Sequence, residues 1–301
     1  MVRSVLGIDV GGTQMKWGLV QEGRVRSLHK EKTPPHPEAL KSRIQQLVHE
    51  LGPVDAIGIG VPGMVDEEGV IHDPPNLPEF HGFPLKQALE QITGLPVRIE
   101  NDANLIALGE WKFGAAQGAR HAVVMTLGTG IGTGFISDGR LVRGAHGRGA
   151  EGGHMILDPD GPPCYCGNRG CLESFLGTVH FIPRARSALA QGPEVPSDLD
   201  QLDAAELYKL AQRGHPVAQE LWREYGHWLG LGIVNFVHLF GPEVVVLGGG
   251  VAGAFDAFAP AMFQTLEQHV IGYPDRHLKV VPAALGMEAG IYGAWALLED
   301  T

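Results

Sequence analysis

The chain has 301 residues, of which 44% are hydrophobic and 7% aromatic, and its formal net charge at pH 7 is −11. This length can bury a sizeable core and favours two lobes or one large domain. The negative charge argues against a non-specific nucleic-acid or anionic-membrane surface, although backbone N–H groups can still bind an anionic small substrate. No apolar run approaches the roughly 20 residues that span a bilayer, and no signal peptide precedes the first apolar run, so we expect a soluble cytoplasmic protein.

The N-terminal part of the sequence alternates strands and helices. The pattern predicts a strand at Val5–Asp9, a glycine turn and a second strand at Met15–Val20. The elements predicted next are a helix at Glu38–Leu51, a strand at Val54–Ile59, a helix at Leu85–Ile92, a strand at Val97–Glu100 and a helix from about Ala103 to Trp111.

A second strand, glycine turn and strand follow at Ala122–Leu127, Gly128–Gly134 and Phe135–Ser137. This repetition suggests two related α/β lobes with a cleft between them. The remaining predicted elements are helices at Leu202–Gln212 and Ala218–Leu239, a strand at Val244–Leu247, a turn at Gly248–Gly250, a strand at Leu278–Val281 and a last helix at Glu288–Leu298.

The first glycine turn has the residue types of a phosphate site. Adjacent Gly11 and Gly12 let backbone N–H groups approach phosphate oxygens, and Thr13 adds a hydroxyl donor. Asp9 at the strand end can hold Mg²⁺ through water, and Lys16 follows nearby. The alternative is an ordinary tight hairpin, which the flanking charged residues disfavour.

The second turn alternates glycine with other residues, and Gly128, Thr129, Gly130 and Gly132 again supply N–H and hydroxyl donors without obstruction. A flexible hairpin rarely needs four glycines at strict spacing. We therefore expect a second phosphate loop here.

Two stretches match the spacing Gly-x-Gly-x-x-Gly. Gly58–Gly63 contains Pro62 and is followed by an acidic loop instead of a helix, so it does not predict a dinucleotide fold. At the second stretch Gly248, Gly249 and Gly250 follow a strand and precede a probable helix, which favours a nucleotide contact at a helix N-terminus.

Asp102 is the candidate catalytic base. The strand Val97–Glu100 delivers it to its carboxyl end, where α/β folds place chemistry. Phosphoryl transfer needs positioning and one carboxylate that accepts the proton of the substrate hydroxyl. From this short motif alone, a role for Asp102 as the N-cap of the next helix is an equal alternative. The flanking amides of Asn101 and Asn104 favour the catalytic role, because amides can hydrogen-bond to sugar hydroxyls.

All three cysteines lie close together, which indicates a metal site better than a disulfide framework. Cys164, Cys166 and Cys171 follow His154, and three thiolates with one imidazole complete a closed tetrahedral zinc site. Unligated reduced thiols are the alternative. A closed site is structural, and it would fix the loop that carries Glu151 and Glu173.

These motifs together resemble the ROK family (repressors, open reading frames, kinases), and within it the bacterial glucokinases. The resemblance covers nearly the whole chain, and it rests on DVGGTQMK at 9–16, NLP at 76–78, ENDAN at 100–104, LGTGIGTG at 127–134, EGGH at 151–154, CYCGNRGCLE at 164–173 and LGGGVA at 247–252.

The resemblance implies a two-lobed actin-like ATPase fold, related to ribonuclease H, with a small lobe at 1–118 that the last helix (about 288–301) joins and a large lobe at 119–287. It implies ATP and Mg²⁺ as cofactors, structural zinc, a homodimer and Asp102 as base. The residues that it implies around the sugar are Gly63, Asn76, Asn101, Asp102, Glu151, His154 and Glu173. Because the sequence begins at the first kinase strand, we expect no N-terminal helix-turn-helix.

The leading hypothesis is a sugar kinase that transfers the γ-phosphoryl group of ATP to the 6-hydroxyl of glucose. Fructose, mannose, N-acetylglucosamine or N-acetylmannosamine are alternative acceptors, and polyphosphate is an alternative donor. A sugar-sensing protein without turnover and an NAD-dependent oxidoreductase are hypotheses from other classes. The first would not need Asp102, and the second would not need two strand–turn–strand phosphate loops.

Overall fold

Strands and helices alternate through a computed structural model that describes residues 4–196 and 198–299. The strands are β1 (Ser4–Val10), β2 (Gln14–Gln21), β3 (Arg24–Val25), β4 (His29–Lys32), β5 (Ala56–Val61), β6 (Met64–Val65), β7 (Ile71–His72), β8 (Val97–Asn101), β9 (Ala122–Leu127), β10 (Ile131–Ser137), β11 (Arg140–Leu141), β12 (Val244–Gly248) and β13 (Lys279–Pro282). The α-helices are α1 (Pro37–Leu51), α2 (Leu85–Thr93), α3 (Asp102–Phe113), α4 (Leu172–Leu176), α5 (Thr178–Ala190), α6 (Ala204–Gln212), α7 (Pro216–Phe240), α8 (Phe255–His269) and α9 (Ala289–Glu299).

The first sheet has the order β3-β2-β1-β5-β8, and β4 pairs with β2. β1 runs antiparallel to β2 and parallel to β5, which is in turn parallel to β8. β1 and β5 are buried along their whole length, as expected for parallel strands covered on both faces. The register aligns Asp9 with Gly60 and Val61 with Asn101, so Asp9 and Asn101 both lie at the carboxyl edge of the sheet.

Glycines in this sheet allow α9 to pack closely on it. A Cβ added to Gly58 would lie 2.5 Å from the carbonyl oxygen of Ala294, and one added to Gly7 would lie 3.0 Å from Ile291 Cγ2. Because Cβ atoms do not approach other atoms this closely, larger residues at either position would push the helix away from the sheet.

The second sheet has the order β11-β10-β9-β12-β13, with β12 parallel to β13. The predicted repetition of strand, turn and strand is confirmed by β1–β2 and β9–β10. The second turn is shorter than predicted, because β10 already begins at Ile131. Gly134 lies within the strand, where an added Cβ would be 2.5 Å from Ala107 Cβ, so close packing explains this glycine better than a turn does.

Contacts between residues divide the chain into two units. The first contains Met1–Val124, Gly134–Ala150 and Ala283–Thr301, and the second contains Met125–Thr133 and Glu151–Pro282. No helix in the described part of the chain is both long and apolar enough to cross a membrane.

The helices of the second unit pack around buried aromatic rings. Trp222 of α7 lies with its ring centroid 5.3 Å from that of Phe181 in α5 and 6.2 Å from that of Phe258 in α8. The sequence analysis assigns no element to 175–190, although α5 occupies most of it. Pro183 is typical of a helix end but lies inside α5, within the first two turns, where the packing of Phe181 outweighs the local signal.

Candidate functional site

The turn between β1 and β2 brings an acidic and a basic side chain together. Asp9 is 6% exposed, and Lys16, opposite it in the strand register, donates to its Oδ2 over 2.9 Å. The turn is closed by the Gly11 N–H, which donates to the Gln14 carbonyl over 3.0 Å, and by Thr33 Oγ1, which donates to the Gly11 carbonyl over 2.6 Å. The predicted Mg²⁺ carboxylate therefore has a neighbouring ammonium in this structure.

Two predicted sugar residues lie on strained backbone near this turn. Gly63 has φ 88°, and a Cβ there would be 2.6 Å from the His72 carbonyl oxygen, so glycine is required. Asn76 has φ 65°, which places it in the left-handed region that asparagine tolerates. A Cβ on Gly12 would lie 3.2 Å from Asn76 Cβ, so Asn76 contacts the glycine turn, whose next residue is Thr13.

Asp102 is the first residue of α3, and the N-cap is Asn101. Asn101 Oδ1 accepts from the N–H groups of Ala103 and Asn104 over 2.9 and 3.1 Å. The half-buried Asp102 accepts from the Ala103 N–H through its own Oδ1 over 2.8 Å. The capping role considered for Asp102 therefore belongs to its neighbour.

A buried carboxylate that the sequence analysis passed over supports this turn. Glu100 is 6% exposed, and its Oε1 accepts from the Asn101 N–H and from Asn104 Nδ2, each over 3.0 Å. Its Oε2 accepts from Arg143 Nε over 2.6 Å. Asn101 Nδ2 donates to the Gly63 carbonyl over 3.0 Å, so the Asp102 turn is also tied to the strained glycine. The sequence offered one signal for Glu100, which is an acidic residue inside the ENDAN motif. It offered none for Arg143, which lies in no motif.

In the second unit, Glu173 packs against the glycine loop. Its Oε2 accepts from the Ile131 N–H over 2.8 Å, and a Cβ on Gly130 would overlap that oxygen. Glu173 is 3% exposed, and its Oε1 is a buried oxygen with no partner among the described residues. Burial raises the pKa of the Glu173 carboxyl. An unpartnered buried oxygen of this kind requires a donor from a ligand or water.

The turns after β9 and after β12 offer open space for a ligand. Added Cβ atoms on Gly128 and Gly250 would meet no atom within 4 Å, so both backbones are accessible. Gly249 has φ 85° and lies directly against the Leu127 carbonyl, which brings the end of β12 close to the end of β9. The other glycine-loop residues predicted to bind phosphate are placed as follows: Thr129 in the turn, Gly132 in β10 and Gly248 at the end of β12.

The segment that carries Glu151 and His154 is joined to β10 by a hydrogen bond between a backbone N–H and a side chain. The Gly152 N–H donates to Thr133 Oγ1 over 2.9 Å, and the His154 N–H donates to the Glu151 carbonyl over 3.0 Å. Glu151 is exposed, whereas His154 is half-buried. These contacts place the predicted sugar residues of this unit beside its glycine loop.

The four predicted metal ligands converge. One ligand atom from each of His154, Cys164, Cys166 and Cys171 lies within 4.8 Å of the others. Cys164 Sγ is 3.6 Å from His154 Nδ1, and Cys166 Sγ is 3.7 Å from Cys171 Sγ, which is far beyond the S–S bond of about 2.05 Å. Zinc with Zn–S bonds of about 2.3 Å and a Zn–N bond of about 2.0 Å separates tetrahedral ligand atoms by roughly 3.5–3.8 Å. The donor set therefore fits zinc.

Tyr165 contacts the ligand histidine and was not identified from the sequence. Its hydroxyl is 3.2 Å from His154 Nε2, and the two rings meet edge to face with centroids 5.2 Å apart. Since Nδ1 faces Cys164, Nε2 is left for this hydrogen bond. The position of Tyr165 between two metal-ligand cysteines was the only signal in the sequence.

Comparison with known proteins gives consistent matches along the whole chain. The model of the ROK family matches residues 5–301. The glucokinase of Streptomyces coelicolor is 35% identical over 315 residues, covering 98% of this chain and 97% of that protein. A ROK family glucokinase from Streptomyces griseus, solved in complex with glucose and AMPPNP, is 35% identical with a TM-score of 0.87, and 99% of this chain matches 100% of that one. The ROK hexokinase from Thermus thermophilus is also 35% identical, with a TM-score of 0.83 and coverage of 99% and 100%.

Proposed function

Because this chain belongs to the ROK family, whose kinases have a two-lobed actin-like ATPase fold, we propose that it is an ATP-dependent glucokinase that phosphorylates the 6-hydroxyl of glucose. The observation that carries the proposal is its similarity, over 99% of the chain, to a glucokinase in complex with glucose and the ATP analogue AMPPNP. Similarity to the Streptomyces coelicolor glucokinase over 98% of the chain supports the same activity.

In this reaction Asp102 accepts the proton of the 6-hydroxyl. The sugar oxygen forms a bond to the γ-phosphorus while the bond to the β–γ bridging oxygen breaks, so ADP leaves with the electron pair. The support for this role is positional: Asp102 is half-buried at the first position of α3, and its Oδ1 is held by the Ala103 N–H. A carboxylate fixed in this way loses little freedom when the hydroxyl arrives.

Further residues are assigned to the sugar. Glu173 is the best supported, because its buried Oε1 has no partner among the described residues and can accept from a sugar hydroxyl. Asn101 has one amide N–H bonded to Gly63 and a second that can donate. Glu151, His154, Asn76 and Gly63 complete the proposed set of sugar residues.

The glycine turns are assigned to the nucleotide. Open space at Gly128 and Gly250 fits phosphate or adenosine close to the backbone. The other residues assigned to the nucleotide are Gly11, Gly12 and Thr13 in the β1–β2 turn, and Thr129, Gly130, Gly132, Gly248 and Gly249 in the second unit. Asp9 would hold Mg²⁺ through water, with Lys16 as the neighbouring cation. Bound Mg²⁺ would neutralise charge on the phosphates.

We also propose that His154, Cys164, Cys166 and Cys171 hold a structural zinc ion. The support is their convergence within 4.8 Å and a chemistry of three thiols and one imidazole. Zinc with four protein ligands has no open position, so it would fix the loop between Glu151 and Glu173 and take no part in the transfer.

Glucose is the proposed acceptor, with fructose, mannose and the N-acetylated hexosamines as alternatives. We further propose a cytoplasmic homodimer acting in glycolysis that binds neither nucleic acid nor membrane. The support is the resemblance to glucokinases and the net charge of −11. A sugar-sensing protein without turnover is the alternative from another class, and only turnover separates it from the kinase.

The test is release of ADP from ATP and Mg²⁺ with a panel of hexoses. We expect turnover with glucose, and we expect Asp102→Asn to lower kcat by roughly 10²–10⁴-fold because the proton acceptor is lost. The exposed Asp200→Asn is the matched control and should retain wild-type kcat. No turnover of folded wild-type protein with any hexose would reject the kinase, and an unchanged kcat in Asp102→Asn would reject the base.

A further inference from the structure

Glu100 has three donors, and two of them belong to the turn that carries Asp102. The Asn101 N–H and Asn104 Nδ2 lie on either side of Asp102 in the sequence, and both donate to Glu100 Oε1 over 3.0 Å. Asn104 is 4% exposed, so its buried amide depends on Glu100 as its acceptor. The geometry of the turn therefore depends on where the Glu100 carboxylate lies.

Among the described residues, Arg143 is the charged donor to this carboxylate. Its Nε donates to Glu100 Oε2 over 2.6 Å, and because both groups carry charge this is a charge-assisted hydrogen bond. The Glu100 side chain is 7% exposed, whereas that of Arg143 is 47% exposed. Within the described residues, the Arg143 side chain makes no other hydrogen bond or ion pair, so its polar interaction there is with Glu100.

A buried carboxylate is costly unless it is paired. Without the guanidinium, two neutral donors on one oxygen would remain, and the other oxygen would need water or a new partner. The carboxylate would then shift toward solvent, and the amides of Asn101 and Asn104 would move with it. Asp102 lies between these two residues, so its carboxylate would move as well.

Building on the proposed function, we propose that Arg143 is a positioning residue, which acts through Glu100 to hold the Asp102 carboxylate where it accepts the sugar proton. Arg143 lies 41 positions after Asp102 and touches neither it nor the glycine turns in any hydrogen bond of the structure. Its effect is therefore on the rate of the chemical step, because a displacement of about 1 Å at a reacting group can cost roughly 100-fold in rate.

The first experiment compares Arg143→Ala with Arg143→Lys and with Arg140→Ala. Arg140 is an exposed residue of β11 three positions earlier, which makes it a matched control. We expect Arg143→Ala to lower kcat by roughly 10–100-fold while KM for glucose and ATP changes less than about threefold. Lysine keeps the charge without the guanidinium geometry, so Arg143→Lys should regain part of kcat, and Arg140→Ala should match the wild type.

A second measurement separates positioning from loss of stability. Rates are measured at a temperature at which thermal unfolding shows every variant fully folded. If Arg143 acts through Asp102, adding Arg143→Ala to Asp102→Asn should change the residual kcat by less than about twofold, because the group being positioned is already absent. A loss in the double variant as large as in the single variant would overturn the proposal.

The remaining outcomes are also decisive. If Arg143→Ala has the same kcat as Arg140→Ala, the positioning role is overturned, while the proposed kinase activity stands. A rise in KM with unchanged kcat would overturn it too, since that result indicates a binding role. Absence of turnover in the wild type would instead reject the proposed function, and the positioning role with it.

Discussion

The turn that carries Asp102 and the loop that carries the cysteines are held in place by different kinds of interaction. In the Asp102 turn, each bond that holds the geometry is made by the chain: Asn101 caps α3, Glu100 bridges two amides, and Arg143 pairs with Glu100. In the cysteine loop, four ligand atoms converge within 4.8 Å with no positive side chain among them. The first region is held by hydrogen bonds and an ion pair of its own residues, whereas the second has the ligands for an ion.

The chemistry of the thiols sharpens this contrast. Burial raises the pKa of the Cys171 thiol to about 12, so without a cation it stays protonated at neutral pH. Zinc binds thiolates, and therefore binding at this loop must release protons. Binding energy of the ion would then be part of the stability of the loop, in contrast to the hydrogen-bonded turn.

The largest expected effect comes from removing one metal ligand. Cys171→Ser should reduce bound zinc from about one ion per chain to a small fraction and lower the free energy of unfolding by more than about 5 kcal/mol. The exposed Asp160→Asn, a non-ligand in the same loop, should leave both unchanged. Elemental analysis and denaturant unfolding measure the two quantities.

The contrast between the two regions would fail if wild-type protein, purified with reductant and without chelator, contained no zinc. It would also fail if Cys171→Ser unfolded at the same denaturant concentration as Asp160→Asn. Either result would mean that the loop is held by the chain alone.

Periodicity predicted most of the fold, because β1 and β5 are buried along their whole length and β9 at every residue but one, so their sequences are mainly apolar. It failed where packing overrides local signals. α5 contains Pro183, and β10 contains Gly134, which allows contact with α3 and is not part of a turn. Neither of these contacts can be read from a window of neighbouring residues.

The candidate site shows a similar division. The metal ligands were predictable, because their residue types and spacing alone define the chemistry. Asp102 was predictable as a residue, but the sequence did not distinguish a base from an N-cap; the structure assigns the cap to Asn101. Arg143 was not predictable, since the contact with Glu100 spans 43 positions and forms only through the tertiary fold.

An intermediate effect is expected at a second buried carboxylate of the first unit. Glu110 is fully buried and accepts from the N–H groups of Ala115, Ala284 and Leu285 over 2.8–3.1 Å. Glu110→Ala leaves three buried donors without a partner and should lower the free energy of unfolding by about 3–5 kcal/mol. Denaturant unfolding measures this change.

Glu79→Ala provides the control, because Glu79 is exposed in the same unit and should change stability by less than about 0.5 kcal/mol. Equal stabilities for the two variants would contradict the view that this unit completes its polar sites with its own donors. Water entering to satisfy the three N–H groups would be the physical reason.

The smallest expected effect tests how far the cysteine loop relies on a hydrogen bond. If Nδ1 of His154 binds the metal, Nε2 carries a proton and donates to the Tyr165 hydroxyl over 3.2 Å. Such outer contacts orient a ligand histidine and can change metal affinity by roughly 10–100-fold. Tyr165 is 59% exposed, so water can replace its hydroxyl, and Tyr165→Phe should weaken zinc binding by less than about 10-fold. Competition with a chromogenic chelator measures the affinity, and a loss above 100-fold would show that this loop, like the Asp102 turn, is ordered mainly by its own hydrogen bonds.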